Sequence, residues 1–170
     1  GKPAASIPML QEWIKSHERD IEARKMLGEI RMRSGDWAAA RREYEAIVAY
    51  GIRDASVFNN LANVLLELKD PKAVEVARQA LALDPRSPLI LDTLGWSLHL
   101  AGKGDEALLI LRDARLRDPN NIDIRFHLAA ALASHSRNDE ARTELSGILD
   151  QVNRETLANE RAKLIKTLGL

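Results

Sequence analysis

"LDTLGWSLHLAGKGDEALLILRDARLRDP", residues 91–119, decides how this chain is to be read. Its apolar residues recur at helical spacing on either side of Gly102-Lys103-Gly104-Asp105, and Asp118-Pro119 closes it. Spacings of i, i+3, i+4 and i+7 give one apolar face per helix. Glycine accepts the positive φ at which a helix ends, and an aspartate beside the next start can cap free N–H groups. The segment therefore reads as two short amphipathic helices folded back on each other, with a proline stop.

The same punctuation recurs outward in both directions. A leucine followed by a small residue appears as Leu27-Gly28, Leu61-Ala62, Leu94-Gly95 and Leu128-Ala129, separated by 34, 33 and 34 positions. An alanine near the start of each second helix appears as Ala40, Ala73, Ala107 and Ala141, and Pro85 and Pro119 lie 34 apart. The turns are Ser34-Gly35-Asp36, Lys69-Asp70-Pro71, Gly102-Lys103-Gly104-Asp105 and Ser136-Arg137-Asn138-Asp139. A period of this length marks an array in which no unit can bury its apolar face alone. The small residues Gly28, Ala62, Gly95 and Ala129 are expected where paired helices approach closely.

Composition agrees with helices and excludes several functions. Hydrophobic residues make up 45% of the 170 positions and aromatics 4%, so the core is built from Leu, Ala, Ile and Val, a mixture suited to helix packing more than to sheets. Lys and Arg total 25, balanced by 25 Asp and Glu. The balance is local as well: 10 basic against 9 acidic in residues 1–54, 8 against 9 in 55–119, and 7 against 7 in 120–170. Nucleic-acid binding and a polybasic membrane patch both need concentrated positive charge, so neither is expected. There is no cysteine, and no apolar run approaches the ~20 residues of a membrane span. The start, Gly1-Lys2-Pro3-Ala4-Ala5, carries neither an initiator Met nor a signal peptide, so the chain is expected to be a piece of a longer protein.

The period and the Leu-Gly/Ala…Ala…Pro pattern resemble the tetratricopeptide repeat (TPR) family over residues 21–152. The resemblance implies an all-α, right-handed superhelical solenoid of stacked antiparallel helix pairs. It divides the chain into residues 1–20, the second helix of a truncated preceding repeat; repeats at 21–54, 55–87, 88–121 and 122–152; and a capping helix in 153–170 with Leu157, Arg161, Leu164, Ile165 and Leu168 turned to the last repeat. Departures are Ile52 near the expected first proline, a turn one residue short in the second repeat, and no terminal proline in the fourth. More narrowly, residues 59–133 resemble the C-terminal repeats of exosortase-associated PEP-CTERM TPR lipoproteins, through Asn59-Asn60-Leu61-Ala62, the short turn with Pro71, and Asp92-Thr93-Leu94-Gly95-Trp96. That resemblance implies a role in bacterial exopolysaccharide export or protein sorting, in the periplasm, with a lipidated anchor upstream. A cytoplasmic location is the alternative.

The sequence carries no catalytic, metal or cofactor motif. His17, His99, His127 and His135 lack paired-ligand spacing, Gly102-Lys103-Gly104 lacks the rest of a phosphate loop, and there is no nucleophile elbow. The expectation is a non-enzymatic protein without cofactors.

Function is then expected on a surface. In the TPR register the free faces of successive first helices line a concave groove. Transferring that register gives Lys25 and Glu29, then Asn59 and Asn63, then Asp92, Trp96 and His99, then Phe126 and His127. Asn59 and Asn63 attract notice because an amide both donates and accepts, and so can hold the backbone of a peptide whatever its sequence. Trp96 and Phe126, adjacent in the stack, are candidate aromatic anchors, although Trp96 can equally pack between helices. The family's clamp for chaperone-tail carboxylates is matched at Lys25 and Asn60, but Glu29, Leu89 and Thr93 stand at its other places, so that ligand is not expected. A peptide or protein partner bound in the groove is the leading reading. The others are a structural spacer or self-associating scaffold, and direct carbohydrate binding through Trp96 and Phe126.

Overall fold

The computed structural model describes residues 6–152 and 157–170, all of whose regular elements are helices. The opening residues 1–5, and 153–156 at the start of the expected capping segment, lie outside the described residues. The chain divides into two compact units, residues 1–84 and 85–170.

The first unit holds α1 (Ile7–Ser16), α2 (Ile21–Arg33), α3 (Trp37–Ala49), α4 (Ala55–Glu67) and α5 (Ala73–Leu83). Each packs on the next in sequence. Helices α2, α3 and α4 start where acidic side chains satisfy orphan N–H groups: Asp20 accepts from Ala23 N at 3.0 Å, Asp36 from Ala39 N at 3.2 Å, and Asp54 from Ser56 N at 2.7 Å. The interior of α3 to α5 is built from Ala40, Tyr44, Ile47, Val57, Leu61, Val64, Leu65 and Ala73. A second cluster joins α1 and α2 through Leu10, Ile14, Ala23, Leu27 and Ile30.

The second unit holds α6 (Pro88–Leu100), α7 (Gly104–Arg117), α8 (Ile122–Ser134), α9 (Asn138–Leu145), a short 3-10 turn at Leu149–Gln151, and α10 (Ala158–Leu168). Here α6 pairs with α7, α7 packs on α8, α8 pairs with α9, and α10 lies against α8 and α9. Ser87 caps α6 through Ile90 N and Asn121 caps α8 through Ile124 N.

Small residues set the spacing within each pair. A Cβ on Gly28 would come 2.8 Å from the Tyr44 ring, and one on Gly95 would come 2.6 Å from Leu111 Cγ. Ala62 and Ala129 are fully buried. One turn position in each pair is left-handed: Gly35 (φ 75°), Lys69 (φ 55°), Gly102 (φ 73°) and Ser136 (φ 58°). The geometry is thus demanded even where the sequence supplies no glycine.

Two expectations about the turns need correcting. Asp105 and Asp139 do not cap; they lie in the first turns of α7 and α9, where Lys103 and Arg137 hold the cap positions without a side-chain bond. A carboxylate there meets the positive end of the helix dipole instead. Gly104 is not a φ requirement either. It leaves room for the His135 ring, whose Cε1 and Nε2 an added Cβ would overlap.

Candidate functional site: the free face of the first helices

In the first unit, Lys25, Glu29, Asn59 and Asn63 remain at least partly open to solvent on α2 and α4. Lys25 Nζ stands 3.5 Å from Asp54 Oδ2, the capping carboxylate of α4, which ties the two helices together. Hydrogen bonding from Ser56, ahead of the contribution of Lys25, lowers the Asp54 pKa below the usual carboxylate value. Glu29 pairs loosely with Arg33 at 3.8 Å, one helical turn on. Asn63 Nδ2 donates to the Asn59 backbone oxygen at 3.1 Å, and Asn59 Oδ1 is shielded and has no hydrogen-bond partner. Asn60 points elsewhere: its Nδ2 donates to Tyr44 Oη at 3.2 Å. Burial pushes the Tyr44 hydroxyl up to about 12, so the phenol stays neutral.

Behind this face lies a charged network that sequence reasoning missed. Glu43 accepts from Arg31 Nη1 at 2.7 Å and from Arg24 Nη1 at 2.8 Å, and both Arg31 and Glu43 are buried. Arg24 and Arg19 each lie 5.6 Å from the Tyr50 ring centroid. The signal was present as Arg31 and Glu43 on facing helices, but burial of an ion pair is a tertiary fact.

In the second unit the predicted residues are brought together and largely closed off. His127 Nδ1 donates to Asp92 Oδ1 at 2.8 Å, joining α8 to α6. Trp96 stacks with the His127 ring at 4.3 Å between centroids and with His99 at 5.1 Å. Relative exposure is 8% for Asp92, 7% for Trp96, 6% for His127 and 0% for Phe126. Phe126 meets His127 edge-on at 6.1 Å and belongs to the core. The expected pair of exposed aromatic anchors is therefore not formed, and neither ring offers an open face to a sugar. Helical register placed these side chains on one face; the packing of α8 on α6 covered them. Burial, followed by the charges of Lys163, His127 and His135, brings the His99 pKa down to about 4.

No group of three or more His, Asp or Glu among the described residues is placed to hold a metal ion. No described helix is long and apolar enough to cross a membrane.

Helix pairs at a 33–34-residue period, joined through a small residue on the first helix, define a helical repeat protein. The chain belongs to the tetratricopeptide repeat family, whose profiles match residues 1–51, 25–88 and 98–164. A curated relative, TPR repeat-containing protein PA4667 of Pseudomonas aeruginosa, is 30% identical over 124 residues; the match covers 70% of this chain and 20% of that protein, so the chain spans about a fifth of its length. Solved structures share the fold. YrrB, described as a TPR protein with an unusual peptide-binding site, superposes with a TM-score of 0.71 at 20% identity over 95% of this chain and 84% of its own. TTC0263, a thermophilic TPR protein of Thermus thermophilus, gives 0.72 at 22%, covering 99% and 91%. MamA of Desulfovibrio magneticus RS-1 gives 0.73 at 20%, covering 98% and 86%. TPR proteins are generally non-enzymatic scaffolds that bind peptides or proteins, and the fold of this chain is consistent with that role.

Proposed function

We propose that this chain is a non-enzymatic scaffold that holds a peptide segment of a partner protein against the free face of α2 and α4. The observation that carries the reading is the amide pair. Asn59 and Asn63 are half-buried one turn apart, with an Asn59 oxygen that no group satisfies. A shielded acceptor without a donor is costly, and rotation of the amide towards an incoming backbone N–H relieves that cost. Lys25 and Glu29 on α2, which Lys25 ties to the start of α4, present opposite charges and suit a partner of mixed charge.

The setting we propose is a bacterial envelope system for exopolysaccharide export or PEP-CTERM protein sorting, in the periplasm. Its support is the resemblance of residues 59–133 in sequence. The test is a pull-down from bacterial envelope extract with the parent chain and with an Asn59→Ala/Asn63→Ala variant of unchanged helix content. Trp96 is left intact because it is buried. A partner kept by the parent and lost by the variant supports the reading. A partner kept by both shows that the amides do not take part.

Self-association is a second reading with its own observation: Leu109 and Leu116, two turns apart on α7, are 70% and 80% exposed. Mass by light scattering that rises with concentration, and stays monomeric for Leu109→Ser/Leu116→Ser, would favour it.

A further inference from the structure

The first-helix face is closed in the second unit, and α10 is part of what closes it. Buried residues on α8 run from Ile124 through Phe126–Leu132, on every side of the helix. Its neighbours are α6, α7, α9 and α10. The α10 helix packs mainly on α8 and less on α9, with Leu164 and Leu168 buried. It also reaches towards α6, where the charge of Lys163 acts on His99.

The hold on α10 is thin. Its contact with α8 and α9 is slighter than that of α7 with α8. Among the described residues, two bonds from Arg142 to the Leu168 carbonyl, at 3.2 and 2.8 Å, fasten its end, and Arg161, through Nε to the Leu149 carbonyl at 3.1 Å and through Nη2 to Asp150 Oδ1 at 3.6 Å, fastens its start. Connections between the other helices take three to five residues, whereas residues 146–157 place twelve between α9 and α10. Ile148 and Val152, on either side of the 3-10 turn, are buried and seat that part of the connection, so α10 can leave without drawing α9 after it. An isolated helix of 11 residues is marginal in water. Segments of this kind open locally at free energies below that of global unfolding.

We propose that α10 is a built-in occupant of the free face of α8, and that the second unit accepts a partner helix only when α10 is released. The partner it fits is an amphipathic helix repeating the stripe that α10 itself presents, with leucines at the places of Leu157, Leu164 and Leu168, all buried here. This rests on the reading of the first-helix face as the binding surface, but at α8 and not at the Asn59–Asn63 pair.

The experiment has two arms. In the parent protein, hydrogen exchange read by mass spectrometry should show the amides of 158–168 exchanging at least tenfold faster than those of 124–132. Equal protection would mean that α10 opens only with the whole unit, and would overturn the proposal. In the second arm the probe is a fluorescein-labelled peptide of residues 157–170, titrated into the parent and into Leu164→Asp/Leu168→Asp. The variant should keep all helical signal except that of one helix and bind the peptide at least tenfold more tightly than the parent. Loss of helix beyond α10, or no gain in peptide affinity, would make α10 a structural cap and refute the idea. Neither arm uses the Asn59→Ala/Asn63→Ala pull-down, so failure here is distinguishable from failure of the groove reading in the first unit.

Discussion

Gly95→Ala is expected to destabilise this protein, against the direction that local preference would give. Gly95 lies inside α6, where alanine is favoured over glycine by about 1 kcal/mol. The added Cβ, however, would stand 2.6 Å from Leu111 Cγ, 2.8 Å from Leu111 Cδ2 and 3.3 Å from the Leu111 backbone nitrogen. The Leu111 side chain is fully buried, so it can yield only by displacing its neighbours, and the backbone nitrogen can move only with α7. Overpacking of this kind costs about 1–3 kcal/mol, which leaves a net loss of up to about 2 kcal/mol after the gain of about 1 kcal/mol in helix preference. Urea unfolding followed at 222 nm, with the slope m unchanged, measures it. The cause is isolated by a double-mutant cycle. Leu111→Ala alone should cost about 2–5 kcal/mol, and adding Gly95→Ala to it should cost nothing or restore about 1 kcal/mol. A Gly95→Ala protein more stable than the parent, or a penalty of undiminished size in the Leu111→Ala background, would refute the close-approach argument.

Further expectations can be checked in the same way. Glu43→Gln leaves Arg31 buried with a weakened partner and should cost about 3–5 kcal/mol, read from the same urea curves; a change below about 1 kcal/mol would show that solvent reaches the site. Lys69→Gly and Ser136→Gly relieve left-handed backbone at φ 55° and 58°, a cost of roughly 1–2 kcal/mol; less the greater chain entropy of glycine, each should raise stability by roughly 0.5–1 kcal/mol, seen as a higher melting temperature. His99 has a folded-state pKa depressed to about 4 from 6.5, so the native state binds fewer protons than the unfolded chain. Its stabilising contribution is full above about pH 6.5 and is lost as pH falls towards 4, by no more than about 3 kcal/mol. The parent should therefore lose more stability than His99→Gln between pH 6.5 and 4, and parallel stability curves would contradict the burial of this imidazole. Tyr44→Phe deprives Asn60 Nδ2 of its acceptor and should cost about 1 kcal/mol, measured by denaturant unfolding.

Helix class, the repeat period and the small residues at Gly28, Ala62, Gly95 and Ala129 were determined by the sequence, because a 3.6-residue periodicity and a residue volume are local properties that neighbours do not alter. The same holds for the left-handed turns at Gly35 and Gly102, where only glycine avoids a steric cost. At Lys69 and Ser136 the same turn geometry was invisible, because the stacking imposes it on residues that do not prefer it. Register also placed Asp92, Trp96, His99, Phe126 and His127 on the first helices, but not their exposure. Whether such a face is groove or interior depends on which helix packs across it, and α8 and α10 come from elsewhere in the chain. The Asp92–His127 bond, the enclosure of Phe126, the Arg24–Glu43–Arg31 network and the seat of His135 on Gly104 are decided by that packing. The pairs among them join residues 12 to 35 positions apart, a separation at which sequence fixes the candidates and only tertiary contact selects the partner.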